Sequence, residues 1–246
     1  MRIADMDWRM VEDYVRHDDR VVLPLGSVEQ HAALSLATDA TLSERVAVEA
    51  AEPLGVPVYP AMPFGLAPYV SAFPGTVTLR LETFSALLRD LLDSMKRSGF
   101  RRVLLVACRA SGHPASSVAG EWMLDNPDCR VRVHEWWRAP RTWNAIVAGN
   151  GDGDGRADAH HAGWIEAFSW TALDGVPAAA DEDSGHAPAG AKPPVDLDHL
   201  HTLPPFEARN LLGDGTYGGA EARSGAEMAA IWAVAVEETR ALLDRW

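Results

Sequence analysis

The sequence has few cysteines and few basic residues for its length of 246 residues. Its two cysteines, Cys108 and Cys129, are too few for a disulfide framework, which is typical of a reducing compartment. Acidic residues number 35 and basic residues 22, so the net charge is −13. Because nucleic-acid binding needs a basic face, we expect no nucleic-acid partner, and we interpret the acidity as a well-solvated surface.

The sequence also lacks a long apolar run. A membrane-spanning helix needs ~20 consecutive apolar residues, and no stretch of the chain approaches that length. The opening residues, MRIADMDWRM, do not have the pattern of a signal peptide. We therefore expect a cytoplasmic protein that has no membrane partner.

What the sequence does contain is an alternation of apolar strands and helices. Strands separated by helices of this length predict an α/β fold with a mostly parallel sheet covered on both faces. Strands or extended segments are predicted at residues 21–25, 56–59, 76–79, 102–108 and 130–135. Helices are predicted at residues 40–51, 82–98, 114–124, 162–173 and 221–243, the third of them opened by Pro114. Loops are predicted at residues 150–158 and 177–194, and since neither is typical of a linker, we expect one domain over residues 1–246.

The first cluster of reactive side chains follows the first predicted strand, in the stretch GSVEQHAALSLATD at residues 26–39. It contains Glu29, His31 and Asp39, at the edge of a parallel sheet where ligands usually bind. A mixed set of imidazole and carboxylate groups suits zinc, manganese or iron, whereas magnesium or calcium would ask for oxygen alone. The spacing also fits a structural interpretation, in which Asp39 caps a helix, His31 is hydrogen-bonded and Glu29 is exposed.

Two further stretches carry candidate residues. The loop RASGH follows the strand at 102–108 and ends in His113, and the stretch DAHHAGWIE contains His160, His161 and Glu166. The five-residue step from His161 to Glu166 allows both side chains to reach back toward one site. We interpret His160 as a solvated loop histidine, and we place His199 and His201 in a polar surface loop.

Four separated motifs resemble those of the creatininase family, the creatinine amidohydrolases. They are LPLGSVEQH with a following TD, then FPGT, then GFRRVLLV, then HAGWIEAFS, in the order and at the intervals of the family. The resemblance implies a three-layer α/β/α fold, commonly assembled as a hexamer. It also implies hydrolysis of a cyclic or linear C–N amide bond in a small molecule at a site with one or two metals.

The resemblance assigns roles to individual residues. Glu29, His31 and Asp39 match the family's first metal ligands, with Asp39 in the bridging position. His161 matches the histidine of the His-Ala-Gly motif, which implies a proton shuttle for catalysis. Glu166 matches the glutamate of the same motif, which implies a metal ligand or a group beside the ligands.

The sequence departs from the family pattern at three places, and at one of them Val70 replaces the histidine that the family usually has three residues before FPGT. The family's EQHGPHLPLGTD is EQHAALSLATD here, with one residue and the second histidine lost, and its NGHGGN is CRASGHP here. An ungapped alignment puts Ala110 at the position of the metal histidine, whereas an alignment on the Gly-His pair makes His113 a replacement ligand. The leading interpretation is a metal-dependent hydrolase of an amide or related C–N bond. The alternatives are a metal-poor homologue that binds a ligand or partner, and a biosynthetic enzyme of changed chemistry.

Overall fold

The central sheet consists of parallel strands whose carboxyl ends lie side by side. The computed structural model describes residues 1–32, 34–148, 166, 197–215 and 225–246. Within this part of the chain the sheet has three strands in the order β1–β2–β3: β1 (Arg20–Leu25), β2 (Arg102–Ala107) and β3 (Arg130–Glu135). Leu25 is opposite Ala107, and Ala107 is opposite Glu135, so the loops that follow these residues leave from one edge.

Helices follow or precede each strand. In the described residues they are α1 (Trp8–Tyr14), α2 (Thr38–Ala51), α3 (Leu81–Arg97), α4 (Arg109–Asp125), α5 (Pro140–Ala148), α6 (Leu197–Thr202), α7 (Pro205–Leu212) and α8 (Gly225–Asp244). No helix of the described residues is long and apolar enough to cross a membrane.

Alternate residues of the strands build two separate cores. Val22, Leu104 and Val106 face one side of the sheet and pack with α2, α5 and α8, through side chains such as Val46, Ile146 and Ala235. Val21, Leu23, Val103 and Leu105 face the other side and pack with α3 and α4, through Phe84, Leu88 and Trp122. Successive residues of a strand point to opposite faces, so an apolar run without alternation covers both. The predicted α/β fold with three layers and a parallel sheet is confirmed.

A third, smaller core lies beside the sheet. Residues 67–70 pack against α6 and α7, and the cluster buries Ala67, Leu200 and Leu212 completely or almost completely. The prediction of a polar loop around His199 and His201 is wrong, since both residues lie in α6. Their side chains remain exposed because the buried face of this short helix is occupied by Leu200.

The structure differs from the sequence-based prediction in the extent of two elements. Helix α4 begins at Arg109 and not at Pro114, because the Gly112 N–H bonds to the Cys108 carbonyl at 3.2 Å and closes a turn before the proline. Pro114 then lies inside the helix, where it cannot donate the usual backbone hydrogen bond. No regular strand forms at the predicted residues 56–59. Val58 makes only isolated bridges, to Arg2 and Val22, since Pro57 and Pro60 have no N–H to donate.

His134 is a buried histidine in the edge strand of the described sheet. Its Nε2 lies 3.0 Å from the hydroxyl oxygen of Thr239 in α8, and that hydroxyl donates to the Ala235 carbonyl at 2.7 Å. The hydroxyl proton is therefore already used, and Nε2–H must be the donor to Thr239. Burial lowers the pKa of His134 to about 4, although the Glu238 carboxylate acts in the opposite direction.

This lowered pKa predicts a loss of stability in acid. The unfolded chain binds a proton near the ordinary histidine pKa of 6.5, whereas folded His134 stays neutral down to about pH 4. Its contribution is therefore complete above the unfolded pKa and is lost as the pH falls between the two values. We expect the free energy of unfolding to fall by about 2 kcal/mol more in wild type than in His134→Gln between about pH 7 and about pH 5. Chemical denaturation of both proteins measures this difference, and parallel curves would contradict it.

Candidate metal centre

The loop after β1 is shaped by a close approach of two backbone segments. A Cβ at Gly26 would lie 2.4 Å from the Cα of Ala40 in α2, so only glycine lets the end of the strand meet the start of the helix. The Glu29 N–H bonds to the Leu36 carbonyl at 3.0 Å and closes the loop between them. Asp39, in the first turn of α2, is thereby returned to the edge of the sheet.

Glu29, His31 and Asp39 meet at this edge in a buried cluster. Each offers one ligand atom, and these atoms lie within 4.8 Å of one another. Their residues are 1%, 0% and 6% exposed, respectively. The structural interpretation of this motif is therefore wrong for Glu29, which is not exposed. It is also wrong for Asp39, since α2 has Ala37 at its N-cap and no side-chain cap there.

Glu166 brings another carboxylate to the cluster. Its Oε2 lies 3.8 Å from Nε2 of His31, and Asp39 Oδ1 lies 3.5 Å from the same nitrogen. The Glu166 side chain is 14% exposed. The structure thus places the Glu166 carboxylate beside the imidazole of His31, while the role of Glu166 in the site stays a prediction.

The other two predicted site residues, His113 and His161, lie partly or wholly outside the described part of the chain. His113 is the fifth residue of α4, whose first residue follows the carboxyl end of β2, and its side chain lies outside the described part. His161 lies outside the described residues, as do His160 and most of the helix predicted at 162–173. The roles of His113 and His161 stay predictions.

Hydrogen bonds orient Glu29 and His31, the two candidate ligands of the loop. The Ser27 hydroxyl donates to Oε2 of Glu29 at 2.7 Å. Nδ1 of His31 lies 3.1 Å from the Glu29 carbonyl oxygen, and since a carbonyl only accepts, Nδ1 carries the hydrogen. In a neutral imidazole this bond leaves the lone pair on Nε2, the nitrogen that faces the carboxylates. Histidine ligands of metals are usually oriented in this way through the other ring nitrogen.

The electrostatics of the cluster suit a cation. Burial, with the nearby Asp39 carboxylate, raises the pKa of Glu29 to about 8. Burial by itself would lower the pKa of His31, but the carboxylates of Asp39 and Glu166 outweigh it and raise that pKa to about 10. Both raised pKa values favour the protonated forms of Glu29 and His31, which carry less negative charge. A divalent ion would neutralise the same charge, so the donor set fits zinc, manganese or iron.

Sequence reasoning missed Ser27 and Gln30. Ser27 is 0% exposed, and Gln30, which is 4% exposed, lies between the candidate ligands Glu29 and His31. The available signal was the high density of polar residues at positions 26–31, which include Ser27, Glu29, Gln30 and His31, directly after a strand that is buried on both faces. Polar residues in such a place must bond inside the protein if the loop is buried.

The fold and this cluster define a class of protein: a three-layer α/β protein with a carboxylate–imidazole centre at the carboxyl edge of its parallel sheet. The family model named Creatininase, described as creatinine amidohydrolase, matches residues 4–243. The chain therefore belongs to the creatininase family. It is similar to the creatinine amidohydrolase of Pseudomonas putida, with 28% identity over 123 residues, which is 47% of this chain and 46% of that protein. The chain thus matches about half the length of this curated relative.

Solved structures of the family resemble the chain over nearly its whole length. A crystal structure of creatinine amidohydrolase has 22% identity and a TM-score of 0.77, covering 99% of this chain and 96% of that one. A mutant creatininase complexed with creatine has 21% identity and a TM-score of 0.76, covering 100% and 98%. Other creatininases in this set are manganese and zinc–zinc forms. At these identities the likeness establishes the fold.

The contact at Gly26 gives a testable prediction. Gly26→Ala should lower the free energy of unfolding by about 1–3 kcal/mol, because the new methyl group meets backbone that cannot move aside. It should also weaken Co²⁺ binding, since α2 carries Asp39. Gly120→Ala is the matched control: Gly120 is exposed in α4, with nothing within 4 Å of an added Cβ. Urea denaturation and calorimetric titration measure both effects, and equal stability of the two variants would refute this account of the contact.

Proposed function

We propose that the protein is a metal-dependent hydrolase of an amide or related C–N bond in a small molecule. The observation that carries this proposal is the buried cluster of Glu29, His31 and Asp39 at the carboxyl edge of the sheet. Membership of the creatininase family supports the reaction class, and the manganese, zinc–zinc and creatine-bound relatives support the metal and the size of substrate.

The side chains divide the chemistry between them. When bound, a divalent ion of this type supplies an electrophile for the substrate carbonyl and a water of lowered pKa. Glu29, His31 and Asp39 would hold the ion, and Ser27 and the Glu29 carbonyl keep two of these ligands oriented. Glu166 adds negative charge beside His31. In this proposal His161 holds the proton that the leaving nitrogen needs.

Removing one ligand should remove the ion. Glu29→Gln and Asp39→Asn keep the shape of the side chains and lose their charge, so we expect each to weaken Zn²⁺ or Mn²⁺ binding by at least ~10–100-fold. Glu82→Gln, at an exposed position of α3, is the control and should bind normally. Elemental analysis and calorimetric titration give the metal content and affinity. A wild-type content far below one equivalent after reconstitution would favour the metal-poor homologue.

Activity requires its own test. We expect wild-type protein to hydrolyse at least one member of a panel of cyclic and linear amides that includes creatinine. Chelation should abolish the reaction, and added Mn²⁺ or Zn²⁺ should restore it. Full metal content without hydrolysis of any amide in the panel would favour the biosynthetic enzyme of changed chemistry.

His113→Ala tests how the departure from the family pattern is compensated. If His113 replaces the missing histidine, its loss should lower metal affinity and turnover by at least ~10–100-fold, as for the other ligands. His199→Ala, at an exposed position of α6, is a matched control. Unchanged metal content and turnover in His113→Ala would show that the ion is held without this imidazole.

We also propose a cytoplasmic homo-oligomer, a hexamer by the family resemblance. Trp8 is 72% exposed and Phe206 is 73% exposed, and a contact between subunits would cover such large apolar side chains. Multi-angle light scattering at micromolar concentration measures the mass. A monomer of 26.7 kDa would count against this part of the proposal.

A further inference from the structure

Gln30 lies between two of the proposed ligands, Glu29 and His31, and makes hydrogen bonds in three directions. Its backbone N–H donates to the Thr76 hydroxyl oxygen at 3.0 Å. Its side-chain Nε2 donates to the Gly215 carbonyl at 3.1 Å, and its Oε1 accepts from the Ala32 N–H at 3.1 Å. A residue that is 4% exposed thus ties the loop to two segments that are remote in sequence.

The bond to Ala32 holds an unfavourable backbone conformation directly after His31. Ala32 has φ of +49°, the one positive φ outside glycine among the described residues. An L-residue in this region places its Cβ too close to its own backbone, so the turn persists only where other contacts hold it. The amide oxygen of Gln30 provides such a contact.

The same backbone sets the direction of the imidazole. Nδ1 of His31 bonds to the Glu29 carbonyl, which lies on the other side of residue 30. Rotation of the backbone at Gln30 would therefore break that bond and turn Nε2 away from Asp39. The conformation of residue 30 and the geometry of the ligands cannot change independently.

Gly215 lies against the Gln30 side chain, although the two residues are 185 positions apart in the sequence. It has φ of +95°, and a Cβ there would lie 1.9 Å from Oε1 of Gln30. The turn that contains it follows α7, whose Leu212 is buried in the third core with Tyr69 and Leu200. The Gln30 amide therefore connects the third core to the loop that carries Glu29 and His31.

We propose that Gln30 is a positioning residue for the metal centre, and that the turn at Gly215 acts on the ligands through it. The inference rests on the proposed metal-dependent function. In this proposal the small core of α6 and α7 stabilises the loop that carries Glu29 and His31. The ion itself is contacted by other residues.

Co²⁺ binding tests this role without any need for turnover. We expect Gln30→Met, which keeps the length of the side chain and loses both of its hydrogen bonds, to weaken Co²⁺ binding by ~10–100-fold. At saturating Co²⁺ the visible absorption bands should also differ from those of wild type, because the ligands are all present but differently oriented. Ala32→Gly, added to Gln30→Met, should restore part of the affinity, since glycine adopts a positive φ without strain.

A pair of glycine variants tests the contribution of the C-terminal turn. Gly215→Ala places a methyl group against Gln30, whereas Gly55→Ala imposes alanine at a similar positive φ of +64° with nothing within 4 Å. We expect Gly215→Ala to weaken Co²⁺ binding and Gly55→Ala to leave it unchanged. The effects of Gly215→Ala and Gln30→Met should also be less than additive in the double variant, because both act through one contact.

The outcomes separate this inference from the proposed function. Suppose that wild type binds Co²⁺ and that Gln30→Met binds it with the same affinity and the same absorption spectrum. This result would overturn the positioning role and leave the metal centre intact. Equal losses in Gly215→Ala and Gly55→Ala would overturn the part assigned to the turn. Wild-type protein that binds no Co²⁺ would overturn the metal centre and this role with it. If Gln30→Met does not fold, the two glycine variants still test the proposal, because the methyl group of Gly215→Ala acts on the Gln30 side chain and that of Gly55→Ala does not.

Discussion

The site depends on the backbone contact between Gly26 and Ala40. This contact lets the chain leave β1, make a closed loop and enter α2 with Asp39 directed back to the edge of the sheet. The loop by itself supplies Glu29 and His31, and the docked helix adds the Asp39 carboxylate, which faces His31. Parallel register then adds the ends of β2 and β3 to the same edge, which is where α/β proteins usually bind ligands.

Burying the cluster at that edge lowers the stability of the fold. Burying carboxylates together costs free energy unless a positive charge or hydrogen bonds compensate, and the raised pKa of Glu29 reflects this cost. One imidazole and the Ser27 hydroxyl supply part of this compensation. A packed apolar loop would serve stability better, so the charges at this place are explained by what they can bind.

The loop that carries two of the ligands is held by groups outside the two main cores. Thr76 lies in the segment that pairs with Val28, and Gly215 follows α7 in the third core. Binding residues often lie on loops that a rigid scaffold positions, and here the scaffold includes the small core of α6 and α7. Gln30 joins these supports to the backbone between Glu29 and His31.

Local sequence determined much of this protein. The apolar strands and the amphipathic α3 follow from short-range patterns, and four ordered motifs by themselves indicate the creatininase family. Tertiary structure alone decided that Asp39 faces His31 and does not cap its helix, and that Gln30 contacts Gly215. The physical reason is that periodicity and capping signals describe interactions within a few residues. The contacts that orient the site join segments far apart in sequence, and they exist only once the layers have packed.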